Sequence, residues 1–440
     1  MRKYISRILY TLFFGFSLTL IVSCVLLMID CLNNGDEQGL EAVSIDPAKG
    51  KASSYNDVEC RIEMTADDAS GTDCDYGYNA LGDDSQRYLY HKLNRNLYCI
   101  DEEENEKGYH RTEYVVVSGV EMSEASVKYV LDAFMTDHPE IFWINNTFGY
   151  AYDDGNTVVE CYSQLSAEEC DDYIERMSYE VNDLLDGIDE LEGDYNKEKF
   201  LHDRLLNKCR YADGVSTISD GWQYFTSYGA IVEGSAVCEG YSKALHILLS
   251  KAGISAYSVK GYANDVRHMW NLVELDDGWY HVDPTWNDSD DGISYEFFNL
   301  STHEIEKDHK IDPLSEDDTQ TNRNFFLPDC ESMAMNYYNV DGLTINEFDN
   351  ETDQKMVAYI VSGVNSGSKY LYITVGSELE YEDCLSTLFD APEHRMYHYI
   401  DLANGFFDSD HKIDHTAVKI LKNEERRTVR VNLKSEEQNG

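Results

Sequence analysis

The sequence predicts an α+β protein, and three observations carry that expectation. Tyr241, Ala244, Leu245, Leu248 and Ala252 recur at helical spacing between Cys238 and Gly253. Directly after them, the apolar-rich runs 267–275 and 279–286 flank Asp276-Asp277-Gly278, the pattern of a β-hairpin. On both sides of this block helical and strand patterns share the chain, mixed over 76–190 and strand-like after 326.

Taken in order, the chain begins with Met1-Arg2-Lys3 and Arg7 before an uncharged apolar run, 8–29, long enough for a membrane-spanning helix. The basic residues before it, against Asp30, Asp36 and Glu37 after it, predict a cytoplasmic N-terminus and an extracellular body, so 1–29 reads as an anchor or signal. Ile21-Val22-Ser23-Cys24 also fits a lipoprotein processing site with Cys24 lipidated, and simple signal cleavage is the third reading; all three export the chain. Residues 30–75, rich in acids and small residues with little periodicity, read as a flexible tether. The 440 residues hold 83 acidic and 35 basic side chains, a net charge of −48. That charge excludes nucleic acid and anionic membrane surfaces as partners, leaving the N-terminal segment as the membrane contact.

An N-terminal α+β domain is expected over 76–190, with helices over 84–97, 123–137 and 167–191 and strands over 113–117 and 157–162. The run 139–143 returns the chain to the sheet, with Phe142 and Trp143 in the core. No chemistry is legible there. The chemistry falls in 191–325. Cys238 opens a helix that Gly253 closes, and a thiol on a first helical turn feels the partial positive charge of unpaired N–H groups. Glu239 opposes this, so a cationic partner is needed, and His268 is the candidate.

Whether Asp283 reaches His268 depends on the hairpin register. A four-residue loop over 275–278 pairs Glu274 with Trp279 and Trp270 with Asp283, making Asp283 a same-face diagonal neighbour of His268 at about 7–8 Å. A three-residue loop puts the two on opposite faces, and a two-residue Asp277-Gly278 turn moves Asp283 to roughly 13 Å along the strand. In the first register Asp283 holds one ring nitrogen and the other takes the thiol proton, giving a thiolate–imidazolium pair.

The run from Tyr228-Gly229 to Cys238-Glu239-Gly240-Tyr241, then His268-Met-Trp270-Asn271, then Trp279-Tyr280-His-Val-Asp283-Pro284-Thr285-Trp286, resembles the core of the transglutaminase-like superfamily, in particular its bacterial secreted members. The resemblance starts near Phe200-Leu-His202-Asp203 and fades after Ser301, about a quarter of the chain. It implies a papain-like fold over 191–325 with Cys238, His268 and Asp283 as catalytic residues. Val232 stands where papain-type enzymes carry a glutamine, so the oxyanion donor beyond the Cys238 N–H is unassigned, with Trp222 and Tyr228 as candidates. Trp270, Trp279 and Trp286 read as core aromatics.

Setting aside Cys24, Cys31 and Cys238, eight of the 11 cysteines remain; export permits disulfides, but spacing assigns no pairing. Cys-x-x-Cys is absent, and His303-Glu304 to Asp308-His309 is not a zinc-helix pattern, so neither metal nor cofactor is expected. A C-terminal β-rich accessory domain is expected over 326–440, with strands over 356–361, 370–375 and 428–433. Two functional classes follow from the resemblance. One is a cell-surface cysteine-nucleophile enzyme acting on peptide or glutamine-like amides, a peptidase by default and a crosslinking transglutaminase in the alternative. The other is an adhesion or surface protein with an idle triad. Asp265, Asp276, Asp277, Asp288, Asp290 and Asp291 predict an acidic rim that favours peptide or protein substrates with lysine or arginine.

Overall fold

The computed structural model describes residues 40–45, 75–289, 292–318, 323–390, 394–408, 411–415 and 418–433. The chain divides into two compact units, Met1–Ile293 with Asp308–Asp329, and Ser294–Lys307 with Cys330–Gly440. The regions expected as separate domains over 76–190 and 191–325 thus fall in one unit, and 294–307 joins the C-terminal module. Long-range ties explain the merger: Lys260 pairs with Asp132 at 2.6 Å, Ser227 Oγ donates to the Pro139 carbonyl at 2.8 Å, and the Phe142 and Tyr228 rings meet at 4.9 Å.

The first unit opens with β1 (Glu41–Ser44), which pairs parallel with Thr147–Tyr150. Within the expected tether over 30–75, residues 40–45 thus include an edge strand, while 30–39 and 46–74 lie outside the described residues. Four half-exposed residues on a sheet edge leave no apolar period to read. Helices α1 (Tyr76–Ala80) and α2 (Asp84–Asn96) follow, then β2 (Ile100–Glu104), β3 (His110–Thr112), β4 (Val115–Val117) and α3 (Glu124–Asp137). Asp83 caps α2 through the Ser85 and Gln86 amides, and Ser123 caps α3 through Ser126, satisfying orphan donors of the first turns. With β5 (Ile144–Asp153) and β6 (Asn156–Ser163) the sheet runs β1-β5-β6-β3-β2, β4 pairing with β6, and Phe142 and Trp143 are buried as expected. Helix α4 (Ala167–Leu185) starts at a Ser166–Glu169 capping box and stops six residues before the predicted end. Gly187, at φ 88°, takes the left-handed conformation that breaks it.

Helix α5 (Asp194–Lys208), the short parallel pair β7 (Arg210–Tyr211) and β8 (Ser235–Ala236), and α6 (Cys238–Lys251) lead into the strands that position the site. These are β9 (Ala256–Ala263), β10 (Val266–Leu275) and β11 (Gly278–Val282), followed by α7 (Pro284–Asn287), β12 (Asp288–Ser289) and β13 (Gly292–Ile293). Helix α8 (Thr302–Ile305) belongs to the second unit, and β14 (His309–Ile311) returns to the first, completing an antiparallel sheet ordered β11-β10-β9-β14. The α6 face of Tyr241, Ala244, Leu245 and Leu248 is buried, and Gly253 at φ 78° ends the helix.

The second unit contains α9 (Tyr337–Val340), β15 (Leu343–Ile345), α10 (Asn350–Asn365), β16 (Tyr370–Val375), α11 (Tyr381–Phe389), α12 (Arg395–Asn404), β17 (Lys419–Asn423) and β18 (Thr428–Asn432). Its sheet is β15-β16-β18-β17, with β15 parallel to β16 and the other pairs antiparallel. The strands expected at 370–375 and 428–433 form, but 356–361 is helical, so the module mixes helices and strands and is not β-rich. Asp349 caps α10 through the Thr352 amide, and Met356 and Ile360 are one turn apart on its buried face, which a six-residue window mistakes for a buried strand. Segment 294–307 is held to this unit by stacking of Tyr295 on Tyr337 at 3.8 Å and by the Asn336 amide donating to the Phe298 carbonyl at 2.7 Å.

Among the described residues no helix is long and apolar enough to cross a membrane; the expected anchor over 1–29, with Cys24, lies outside them. Cys99, Cys161, Cys170, Cys209, Cys238, Cys330 and Cys384 are free thiols.

Candidate active site

Cys238 is the first residue of α6. Val237 before it offers no side-chain cap, so no side chain of that residue takes up the first-turn N–H groups beside the sulfur. Gly240 sits where a Cβ would lie 2.7 Å from Ala236 Cβ, 2.8 Å from the Thr226 carbonyl and 2.9 Å from the Tyr224 carbonyl, so only glycine lets the segment 224–226 lie this close to the first turn. The charge of Glu239, which counts against a thiolate, is paired with Lys243 one turn on, at 2.6 Å.

Strand β10 carries His268, and two hydrogen bonds fix it to α6: Ser242 Oγ donates to the Trp270 carbonyl at 3.0 Å and Asn271 Nδ2 donates to the Ser242 carbonyl at 2.9 Å. The β10–β11 register pairs Glu274 with Trp279, as the hairpin analysis required. Leu275 opposes Gly278, so the connecting turn is Asp276-Asp277, two residues shorter than the expected loop but in the same register. The ladder ends at Asn271–Val282. Asp283, instead of pairing across the strand, turns to cap α7, its Oδ1 accepting from the Thr285 and Trp286 amides at 2.9 and 3.0 Å. Its Oδ2 accepts from His268 Nε2 at 2.7 Å.

Cys238, His268 and Asp283 therefore converge. The thiol is half-buried and near enough to the His268 ring for its charge to act on it, while Asp283 is fully buried. With Nε2 given to Asp283, Nδ1 is the nitrogen available to the sulfur. Burial pushes His268 down, but the Asp283 charge, the Cys238 charge and hydrogen bonds from both outweigh it and hold the ring protonated up to about 10. Burial pushes the Asp283 carboxyl up; the charge and hydrogen bond of His268, then those of His309, hold it well below the usual carboxylate range.

His309 was not singled out from the sequence as part of this site, where it appeared only as a weak metal pattern with His303. The structure places its ring behind Asp283, Nε2 donating to Oδ2 at 3.0 Å. Its strand is three residues long, with no period to betray it. His268, Asp283 and His309 are the group of metal-ligating type found among the described residues, their atoms within 4.8 Å of one another. Direct hydrogen bonds at 2.7 and 3.0 Å occupy those atoms, so the cluster is a hydrogen-bonded chain. Trp270 is fully buried and packs edge-on to His309 at 5.0 Å, while half-buried Trp286 flanks His268 at 6.1 Å. Tyr228, a candidate oxyanion donor, is buried in a stack with Tyr173, and Trp222 lines a cleft that also touches Glu239, Lys243, Lys128 and Asp132. Of the expected acidic rim, Asp265, Asp276 and Asp277 are exposed, Asp288 accepts from the Tyr241 hydroxyl, and Asp290 and Asp291 lie outside the described residues.

The chain thus sets a thiol at a helix start, a histidine on the facing sheet and a buried carboxylate behind it. Residues 182–284 match the Transglutaminase-like superfamily model, Transglut_core, so this segment is a transglutaminase-like core. Among solved structures the chain is similar to a TGase at 12% identity, covering 40% of this chain and 52% of that one with a TM-score of 0.24. It is also similar to a proposed protease from Parabacteroides distasonis at 10% identity (31% and 35% covered, TM-score 0.21) and to a proposed cysteine protease from Cytophaga hutchinsonii at 14% identity (42% and 70% covered, TM-score 0.21). The chain thus spans about half the length of the first and about a third of the second. No curated protein matches it.

Proposed function

We propose that Cys238, His268 and Asp283 form the triad of a cysteine peptidase that cleaves peptide or glutamine-like amide bonds through an acyl-enzyme. The observation that carries this reading is the buried Asp283–His268 hydrogen bond at 2.7 Å in a ring that also meets Cys238. Cys238 Sγ, a thiolate whose proton already rests on His268 Nδ1, attacks the amide carbon; the tetrahedral oxyanion is met by the first-turn N–H of Cys238. The His268 proton then goes to the leaving nitrogen as the C–N bond breaks, leaving a thioester. Water, deprotonated by His268, attacks the thioester carbon, and the thiol departs with the acid as product. Asp283 keeps the ring in the required orientation and stabilises its cation.

Water is proposed as the acceptor because it needs no binding site, whereas transfer to an amine requires a site that binds the amine and restricts water, and the sequence shows no motif assignable to one. Peptides bearing lysine or arginine are the proposed substrates, in keeping with the exposed Asp265, Asp276 and Asp277, and the N-terminal apolar run is proposed to export the body to the cell surface. The test follows turnover of a reactive peptide amide by wild type and Cys238→Ala with and without millimolar primary amine. Free acid from wild type alone supports the peptidase, predominant amine-linked product moves the assignment to transglutaminase, and no thiol-dependent product with either acceptor rejects catalysis.

A further inference from the structure

The most informative buried group outside the triad is His309, which lies beyond the segment matched by the family model. It opens β14, opposite Ala263 of β9, and only 3% of it is exposed. Its Nε2 faces Asp283 Oδ2 at 3.0 Å and its Nδ1 faces Asp308 Oδ1 at 2.6 Å. An ionised carboxylate only accepts hydrogen bonds, whereas a neutral imidazole offers one donor and one acceptor nitrogen. A ring with both nitrogens on carboxylate oxygens therefore carries both protons. Asp283 has no site left for a proton of its own, because Oδ1 takes two backbone amides and Oδ2 takes His268 and His309.

We infer that His309 is a resident buried imidazolium, a positioning residue that shares Asp283 Oδ2 with His268 and sets how much negative charge the Cys238–His268 pair feels. This rests on the triad reading above. Cys238, His268, Asp283, His309 and Asp308 then form one chain of alternating charge, anchored at a partly exposed end by Asp308. The other charged and titratable neighbours do not cancel the effect. His281 accepts at Nδ1 from Trp270 Nε1 at 3.0 Å, and burial together with the charge of His309 pushes it down to about 3, so it is neutral. Arg267 of β10 and Asp312, the residue after β14, pair with each other. The rings of His268 and His309 are 5.5 Å apart, close enough for a unit charge to matter strongly in a buried setting.

The sign follows. With the His309 cation removed, Asp283 presents its whole charge to His268, and the neighbourhood becomes more negative. The Cys238 thiol then ionises less readily and the His268 imidazolium gives up its proton later, so both limbs of a pH profile move to higher pH.

The experiment measures the rate of Cys238 alkylation by iodoacetamide from pH 4 to 10, read by peptide mass spectrometry on the full chain, in wild type, His309→Gln and Asp308→Asn. Both limbs should rise by about one pH unit in His309→Gln, which keeps a donor but not the charge, and by less in Asp308→Asn, which loosens the proton. A uniform fall in rate with fixed limbs, or a downward shift, overturns the inference in favour of a purely structural histidine. Ring-carbon NMR of wild type gives an independent reading, with the His309 signal assigned from either variant. That signal should stay in its imidazolium position from pH 5 to 8, and a midpoint near 6.5 overturns the inference. Wild-type alkylation with a single limb near the ordinary thiol value of about 8.5 would count against the triad reading, while the NMR titration would still decide the charge of His309.

Discussion

Around β10 the first unit buries Asp283, His268, His281 and His309, each hydrogen-bonded to a named partner, with tryptophans packed over them. Around β16 the second unit buries Ile345, Met356, Ile360, Leu371, Ile373, Leu385 and Val431, and its buried Arg430 lies over the Tyr370 ring. Aliphatic packing is tolerant of direction and contributes about 25 cal/mol for each Å² removed from water. Buried charge costs several kcal/mol per ion before its partners repay it, and does so only when every lone pair and proton is matched. The first arrangement therefore trades stability for orientation, and the second supplies stability with no reacting group in view.

The largest expected effect that tests this contrast is Asp283→Asn. Loss of the carboxylate lets His268 adopt the wrong tautomer, and turnover should fall about 10⁴-fold. The same variant reads stability against pH. His268 has its folded value raised, so its contribution is complete below 6.5 and disappears as pH rises towards about 10. Asp283 has its value depressed, so its contribution is present above 3.8 and disappears as pH falls. The wild-type advantage over Asp283→Asn in denaturant unfolding should therefore be greatest between pH 4 and 6.5, on the order of 3 kcal/mol, and a flat difference from pH 3 to 9 would contradict the buried ion pair.

Ile360→Ala addresses the other side. It should cost about 2–5 kcal/mol in unfolding of the second unit, from lost burial and the cavity left. Cys238 alkylation should keep its wild-type rate, and a parallel loss of thiol reactivity would erase the contrast between the units. Gly240→Ala should lower turnover about 100-fold with a smaller loss of stability, because its Cβ meets two carbonyls below 3 Å and the first turn of α6 must shift. Unchanged turnover would mean that the Cys238 position is less constrained than the packing implies. The smallest effect is expected for Lys243→Met: Glu239 loses its partner, and alkylation of Cys238 at pH 6 should slow a few-fold, with wild-type rates indicating that solvent screens the carboxylate.

The hairpin was legible because facing on a strand is binary and distance separates the rest: of the registers weighed, only the one that pairs Glu274 with Trp279 brings Asp283 to the His268 face within reach, and the structure uses it through a shorter turn than expected. The opening of α6 at Cys238 and its end at Gly253 were legible for a similar reason, a helical stripe bounded by a left-handed glycine. Residues that act through a partner distant in sequence left no such mark. His309 joins Asp283 across 26 positions from a three-residue strand, and β1 joins β5 across about a hundred. Neither is long enough to show a period. The run 356–361 failed differently, since a short apolar stretch suits a buried strand and a buried helix face equally, and only the Asp349 cap upstream separates them.

Asp283 uses its two oxygens for different ends: one fastens the amides of Thr285 and Trp286 at the start of α7, and the other faces the histidines. A carboxylate swings as a rigid plane, so whatever pulls on one oxygen tilts the other. Those two amides are thus a built-in gauge of the triad. Their deuterium uptake would register acylation of Cys238, or a change in the charge on either histidine, without any label placed at the reacting atoms.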